Sequence, residues 1–363
     1  MAKPPRTQGQ LDLFAQHVLP AQGTLPAPTP ATTTRVSPLA TAAKATPPQP
    51  TVSALADGDR RTRTLRKSAS DIAEIAAETW HRQHAVAGDG IAIAMGIVAG
   101  LTLLRKTSRD GVDTATFLLD LDPPTLLEFH RRIWAYTWIR HPYLIDCARA
   151  IHDWLNEDTD PPAKIVSAVH AVTHAVIRAG LLDITGDPDP ALRCDADVLG
   201  LFLTRLRSQG AGAALAEIHT PPDVANLLTS ILNAAAKLTI EPGQPKPGGW
   251  LDEPAAGTGG MFRAAAMVMR EQGTNPHDFG WSMTDLDPIA AAACAVNALV
   301  WDLGPSVLVW CGDTLAEGDG PARAWERRKA VLEHHDHMMS IASMTAAVRQ
   351  TQILLSRFER EVA

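Results

Sequence analysis

Residues 251–260 read Leu-Asp-Glu-Pro-Ala-Ala-Gly-Thr-Gly-Gly, Thr-Asp-Leu-Asp-Pro follows at 284–288, and Cys-Gly-Asp-Thr-Leu stands at 311–315. This order describes the first half of a nucleotide-binding α/β sheet. A short strand, Trp250–Glu253, runs into glycines whose missing Cβ lets the backbone approach a ligand, and a helix opens from about Gly260. The next strand, Gly280–Thr284, ends at Asp285, where such sheets place a carboxylate that accepts hydrogen bonds from ribose hydroxyls. A third strand, Val307–Cys311, delivers Gly312 and Asp313, and helices over Gly260–Gln272 and Pro288–Leu303 alternate with the strands. A glycine turn alone is an ordinary way to pass from strand to helix, so its neighbours decide the matter.

Those neighbours carry a resemblance. Glu253-Pro-Ala-Ala-Gly-Thr-Gly-Gly-Met-Phe262 resembles the D-P-A-C-G-T-G-G-F signature of the adenine-specific N-6 DNA methylases, best known as modification subunits of type I restriction systems. Upstream, Asp197-Val-Leu-Gly200 and Glu217-Ile-His-Thr-Pro-Pro-Asp-Val224 are similar to that family's D-x-L-G and G-E-F-Y-T-P-x-x-V segments. Downstream, Asp285-Leu-Asp-Pro288 is similar to its E-I-N-P and Gly312-Asp-Thr-Leu315 to its G-D-T-L.

The resemblance implies a partial Rossmann-like, S-adenosylmethionine (SAM)-dependent methyltransferase sheet preceded by an α-helical domain, and composition adds a disordered N-terminal tail. It implies SAM as cofactor and DNA as substrate. Carried over by position, Thr220 and Pro221 stand beside the methionine moiety, and Ala255, Gly257, Thr258, Gly259 and Gly260 belong to the cradle. Asp285 holds the ribose, and Asp313, also among the cofactor-binding residues, contacts the adenine exocyclic amine, which makes it the candidate catalytic contact as well. Glu253 replaces the family's aspartate, and its longer carboxylate shifts that contact toward the SAM amino group. His219 replaces the aromatic residue before Thr-Pro and weakens a stacking role.

In the resembled family, direct transfer to the adenine amine uses an N-P-P-F or N-P-P-Y loop, whose polar groups accept from the amine and whose ring stacks on the flipped base. No such loop is read after Leu315, where the chain enters a charged helical stretch, Ala324–Glu361. Leu119-Asp-Leu-Asp-Pro-Pro-Thr125 has threonine at the aromatic position and reads as a helix opening behind prolines. Asp160-Pro-Pro-Ala163 is a loop leading into a helix from about Ala163. Two classes therefore stand: an enzyme completed by a second methylase or specificity subunit, or a noncatalytic SAM-binding, DNA-associated protein.

The 363 residues suffice for two domains and a tail. The expected organisation is a tail over 1–67, a helical domain over 68–210, the SAM-binding α/β domain over 211–320 and a C-terminal helix over 321–363. The tail is rich in Pro, Ala and Thr and carries nine basic residues against three acidic, or +6, which leaves −13 of the net −7 on the remainder. Such composition predicts disorder. Arg60–Lys67 is either a solvated linker end or an arm that tracks phosphates. Gln10-Leu11-Asp12-Leu13-Phe14 resembles the bacterial sliding-clamp binding pentapeptide Q-L-x-L-F, with Leu13 and Phe14 as apolar anchors and Gln10 at the pocket rim.

From Ser70 to Arg207 the apolar residues recur at helical spacing: Ile72, Ile75, Ala76 and Trp80, then Ile165, Val169, Val172 and Val176. Ser68 or Ser70 offers the first N-cap. The run Gly90–Leu104 has 15 residues, short of the about 20 needed to span a membrane, and reads as a buried helix. Cys147, Cys194, Cys294 and Cys311 lack C-x-x-C spacing, so no metal or disulfide framework is expected and a reducing cytoplasm is the default. His334-His-Asp-His337 reads as a solvated helix face rather than a metal site. Strand order in the resembled fold leaves the first strand open on one side, to be covered by the last helix or by another chain. Val331, Met338, Ile341, Thr345, Val348, Gln352 and Leu355 form a heptad-like stripe suited to either task.

Overall fold

The computed structural model describes residues 67–83, 90–156, 161–208 and 248–362. Gln10–Phe14, residues 60–66 and Glu217–Val224 with Thr220 and Pro221 lie outside the described residues. The first described part is helical throughout: α1 (Ala69–Gln83), α2 (Gly90–Thr102), α3 (Thr114–Leu119), α4 (Pro123–Arg140), α5 (Pro142–Cys147), α6 (Arg149–His152), α7 (Ala163–Arg178), α8 (Leu181–Thr185), α9 (Pro190–Arg193) and α10 (Val198–Ser208). Local chemistry sets several of the starts. Ser68 Oγ accepts from the Asp71 amide at 3.2 Å while Asp71 Oδ2 accepts from the Ser68 amide at 2.9 Å, a reciprocal cap that opens α1. Asp122 Oδ1 accepts from the Thr125 amide at 2.8 Å, and Pro123 and Pro124 fill the first turn of α4. The Pro123-Pro124 dipeptide is thus a helix start, as its sequence predicts.

Packing follows the periodicity. Ile72, Ala76 and Trp80 of α1 and Ile165, Val169, Val172 and Val176 of α7 are buried, and the two helices pack on each other. Helix α2 is apolar nearly all round and buried along most of its length, in contact with α4, α6, α7 and α10. No helix among the described residues is long and apolar enough to cross a membrane.

The second part alternates β1 (Trp250–Glu253), α11 (Gly260–Glu271), β2 (Gly280–Asp285), α12 (Pro288–Val300) and β3 (Val307–Cys311), then ends with α13 (Thr314–Glu317) and α14 (Gly320–Val362). The three strands form one parallel sheet in the order β1-β2-β3, with Leu251 opposite Trp281 and Asp285 opposite Cys311. Central β2 is buried from Gly280 to Thr284, as a strand covered on both faces must be. Edge strand β1 is half exposed. Its Trp250 is 48% exposed, and charged Asp252 and Glu253 blunt the edge against further pairing. Trp281 and Trp301 are core residues, with Trp281 edge-on to Phe262 at 5.3 Å.

The last helix does not cover β1. Its first turns pack on β3 and β2, with Ala324 and Val331 buried. Met338, Ile341 and Val348 stand exposed, so only the start of the heptad-like stripe meets the sheet. Of the histidine cluster, His335 packs edge-on against Trp138 and its Nε2 lies 3.0 Å from the Ile139 carbonyl.

One tyrosine joins the helices to the sheet. Tyr143 of α5 donates its O–H to the Val309 carbonyl at 3.0 Å and accepts from the Val309 amide at 2.9 Å, so a phenol occupies the ladder position that another strand would fill on β3. Burial pushes this phenol far above its ordinary value, which keeps the proton in place. Tyr143→Phe leaves both Val309 groups without that partner in buried surroundings. We expect a loss of about 2 kcal/mol or more in urea unfolding; a change within about 0.5 kcal/mol would show that β3 does not depend on the phenol.

Candidate functional site

The C-terminal ends of the three parallel strands lie side by side, which brings the glycine turn, Asp285 and Asp313 together. This is where open α/β sheets bind ligands. Gly257 (φ +55°) and Gly259 (φ +91°) adopt left-handed conformations in the turn after β1. A Cβ on Gly259 would also lie 3.1 Å from both Cys294 Sγ and the Trp301 ring, so this glycine serves close packing of the turn on α12. Around Gly260 the corresponding space is open.

Asp285 organises the turn as well as ending β2. Its Oδ2 accepts from the Gly257 amide at 2.7 Å and its Oδ1 from the Asp287 amide at 2.9 Å. A carboxylate has about four lone-pair positions, so each oxygen keeps capacity for a further donor. Asp313 caps α13, with Oδ1 accepting from the Leu315 and Ala316 amides at 2.9 and 3.1 Å. Glu253 Oε1 lies 3.4 Å from the Ala255 amide, and Thr314 Oγ1 donates to the Pro254 carbonyl at 2.8 Å, which ties the β3 loop to the β1 loop. Two leucines flank these carboxylates in the open: Leu286 is 66% and Leu315 98% exposed. Partial burial of the sulfur, then the charges of Asp287 and Asp285, raise the Cys311 thiol above its ordinary value.

Beneath the turn lies a buried polar cluster that sequence patterns left without a role. Asp197, just before α10, accepts from Thr258 Oγ1 at 2.7 Å, from the Gly200 amide at 2.8 Å and from Asn297 Nδ2 at 3.0 Å. Asn297 Nδ2 also donates to the Thr258 carbonyl at 2.8 Å. The D-x-L-G spacing now has a physical reason. A Cβ on Gly200 would lie 2.3 Å from Asp197 Oδ2 and 2.5 Å from Thr258 Oγ1, so only glycine lets the carboxylate fold back over the helix start. The Thr258 side chain is buried and faces inward, which leaves its backbone to meet any ligand.

The same helix grips the site again at its far end. Arg207 Nη2 pairs with Asp287 Oδ2 at 2.5 Å, both side chains nearly buried, while Asp287 caps α12 by accepting from the Ile289 and Ala290 amides. The sequence signal for this pair was only the Asp-Pro helix start. Nothing in the spacing of Arg207 pointed to Asp287.

Removing Asp197 should loosen the whole turn. Asp197→Ala leaves the Thr258 hydroxyl and the Asn297 amide short of a buried partner, and we expect a loss of about 3 kcal/mol or more. Gly200→Ala should also destabilise by steric conflict with the same carboxylate. Urea unfolding checks both; a Gly200→Ala protein as stable as the parent would show that the Asp197 contact is dispensable.

Comparison with known proteins bears on this arrangement. The family model described as N-6 DNA Methylase matches residues 196–332. No curated protein matches the chain. The matched stretch opens one residue before Asp197 and closes within α14, so it holds the polar cluster, the glycine turn, Asp285 and Asp313. On that match, residues 196–332 are similar to the N-6 DNA methylase family.

Proposed function

We propose that this region binds SAM and takes part in methyl transfer to the N-6 position of adenine in DNA, with a further polypeptide supplying the acceptor loop. The observation that carries this reading is the convergence of the Gly257 turn, Asp285 and Asp313 at one end of the sheet, inside the matched stretch. The residues present fit the cofactor. A backbone turn opens beside Gly260, the Asp285 carboxylate has acceptor capacity for a ribose diol, and exposed Leu286 offers an apolar surface next to it. Bound there, SAM supplies an electrophilic methyl group on a sulfonium.

The chain's own residues do the rest of the work this reading assigns. Asp285 accepts from the ribose while holding the turn through Gly257. Asp313, fixed by its own helix cap, offers its second oxygen to the adenine amine. Thr220 and Pro221 belong to the same proposal, beside the methionine end. Positioning of the amine, rather than proton chemistry by a strong base, is the contribution expected of these groups. A type I modification subunit, working with a second methylase or a specificity subunit, is the assembly this reading favours.

A second reading rests on Gln10-Leu-Asp-Leu-Phe14: a SAM-binding, DNA-associated protein tethered to a bacterial sliding clamp. The two readings part on catalysis. With labelled SAM and DNA, the purified chain should transfer little or no methyl alone and gain activity when proteins encoded by adjacent genes are added. Strong transfer by the chain alone, kept in Asp313→Ala, would refute the assignment of roles.

Cofactor binding has its own check. Calorimetry should show SAM binding that weakens by roughly 10- to 100-fold in Asp285→Ala, the equivalent of about 1.5–3 kcal/mol for charge-assisted hydrogen bonds. Absence of heat with the intact protein would remove SAM from the account. For the tail, Leu13→Ala with Phe14→Ala should abolish capture of the clamp, since each side chain contributes about 1.5–3 kcal/mol on burial. Equal capture of parent and double variant would end the clamp reading.

A further inference from the structure

At the opposite end of α12 from Asp287, about 20 Å along the helix axis, a cleft of about 620 Å³ opens between α3, α4 and the loop after α2. That is within the range of small-ligand sites. Its walls are apolar, from Leu103, Leu104, Ile133 and Val300, and its mouth carries Arg105, Arg109, Arg140 and His141. No carboxylate lines it among the described residues. This is unexpected in a chain whose body carries −13.

The cations act on one another. Burial lowers the Arg105 guanidinium from its ordinary value, with Asp302 opposing and Arg140 adding a smaller push down, while burial and then the charges of Arg140 and Arg105 lower the His141 imidazole against Asp302. Asp302 lies outside the cleft lining, with His277 Nε2 3.0 Å from its carboxylate. An anion in the cleft would relieve the repulsion. Two aromatic rings stand open at the same mouth: Tyr136 is 57% and Phe117 41% exposed. Arg140 lies over the Tyr136 ring at 5.7 Å and donates to its hydroxyl at 3.0 Å, while Phe129 braces Phe117 edge-on at 5.4 Å. Flat rings with guanidinium groups beside them hold a base by stacking and its phosphate by charge.

We propose that this cleft binds a nucleoside phosphate, with the base against Tyr136 or Phe117 and the phosphate on Arg105, Arg109 and Arg140. The ligand is either a unit of single-stranded DNA or a free nucleotide. The site is independent of the SAM reading, because it lies at the other end of α12 and shares no residue with the glycine turn. Thymidine probes keep the two apart, since they lack the adenosine that the other site would take.

The full chain is titrated against a fluorescent thymidine oligonucleotide, followed by anisotropy, with thymidine 5′-monophosphate and laurate as competitors. Binding should fall as salt rises, and Tyr136→Ala with Arg140→Ala should weaken it by roughly ten-fold or more. Tyr136→Phe, which keeps the ring, should retain most of it. Both side chains are exposed, and the unfolding midpoint of each variant confirms that the fold is intact. Displacement by the free nucleotide at comparable concentration identifies a mononucleotide site; displacement only by unlabelled oligonucleotide identifies a strand site. An intact protein that binds neither probe overturns the proposal. So does oligonucleotide binding unchanged in the double variant, which would place it on the basic tail, or displacement by laurate but not by the nucleotide.

Discussion

A single buried carboxylate, that of Asp197, holds the helical part of the chain to the glycine turn of the sheet. Burying such a group is unfavourable unless donors replace the lost water, and three do: the Thr258 hydroxyl, the Asn297 amide and the Gly200 backbone. Each donor comes from a different element, so the carboxylate is satisfied only when the turn, α12 and the start of α10 have all arrived. That requirement makes the cluster a device for geometry. It sets the height of the turn above the sheet end, and Asp285 then sets its angle through Gly257.

The rest of the sheet needs the same support. Three strands form a narrow sheet with two edges, which stands only with an apolar face covered by packing. On one edge Tyr143 and the start of α14 stand in for a neighbouring strand; on the other, Asp252 and Glu253 discourage one. Helix α10 spans the carboxylate-bearing end, fastened through Asp197 at its start and Arg207 at its finish. Partner loops brought to β1 would thus meet a preset surface rather than one that must be organised on binding.

Local features were legible in the sequence because local rules govern them. Glycines that need left-handed backbone, strands between turn residues, the Ser68 cap and the proline-led start of α4 each depend on a few adjacent residues. The candidate carboxylates were found because Asp285 and Asp313 stand directly at strand ends. Contacts over long separations were not legible. Thr258 sits in the glycine motif yet turns its side chain away from the ligand space toward Asp197, 61 residues earlier. Arg207 has no sequence mark that directs it to Asp287, and the heptad-like stripe of α14 does not say where the sheet will stop covering it. The cleft by Arg105 draws on three helices and two loops, so no single stretch of sequence betrays it.

Charge distinguishes what each end of the molecule can bind. Glu253, Asp285, Asp287 and Asp313 gather at the carboxylate end, and of these Asp287 is neutralised by Arg207. Such an end suits a ligand carrying a sulfonium and an ammonium, and it repels a phosphate backbone. On the reading proposed above, the strand would be held by other groups, and the arginine-lined cleft is one such cationic site among the described residues. On that reading, an acidic end with a cationic cleft at the far end of α12 would favour entry of the target base once the flanking phosphates are held elsewhere. If the proposed activity holds, a base presented away from its backbone, flipped out of the duplex, is the form of substrate that such an acidic end would admit at least cost.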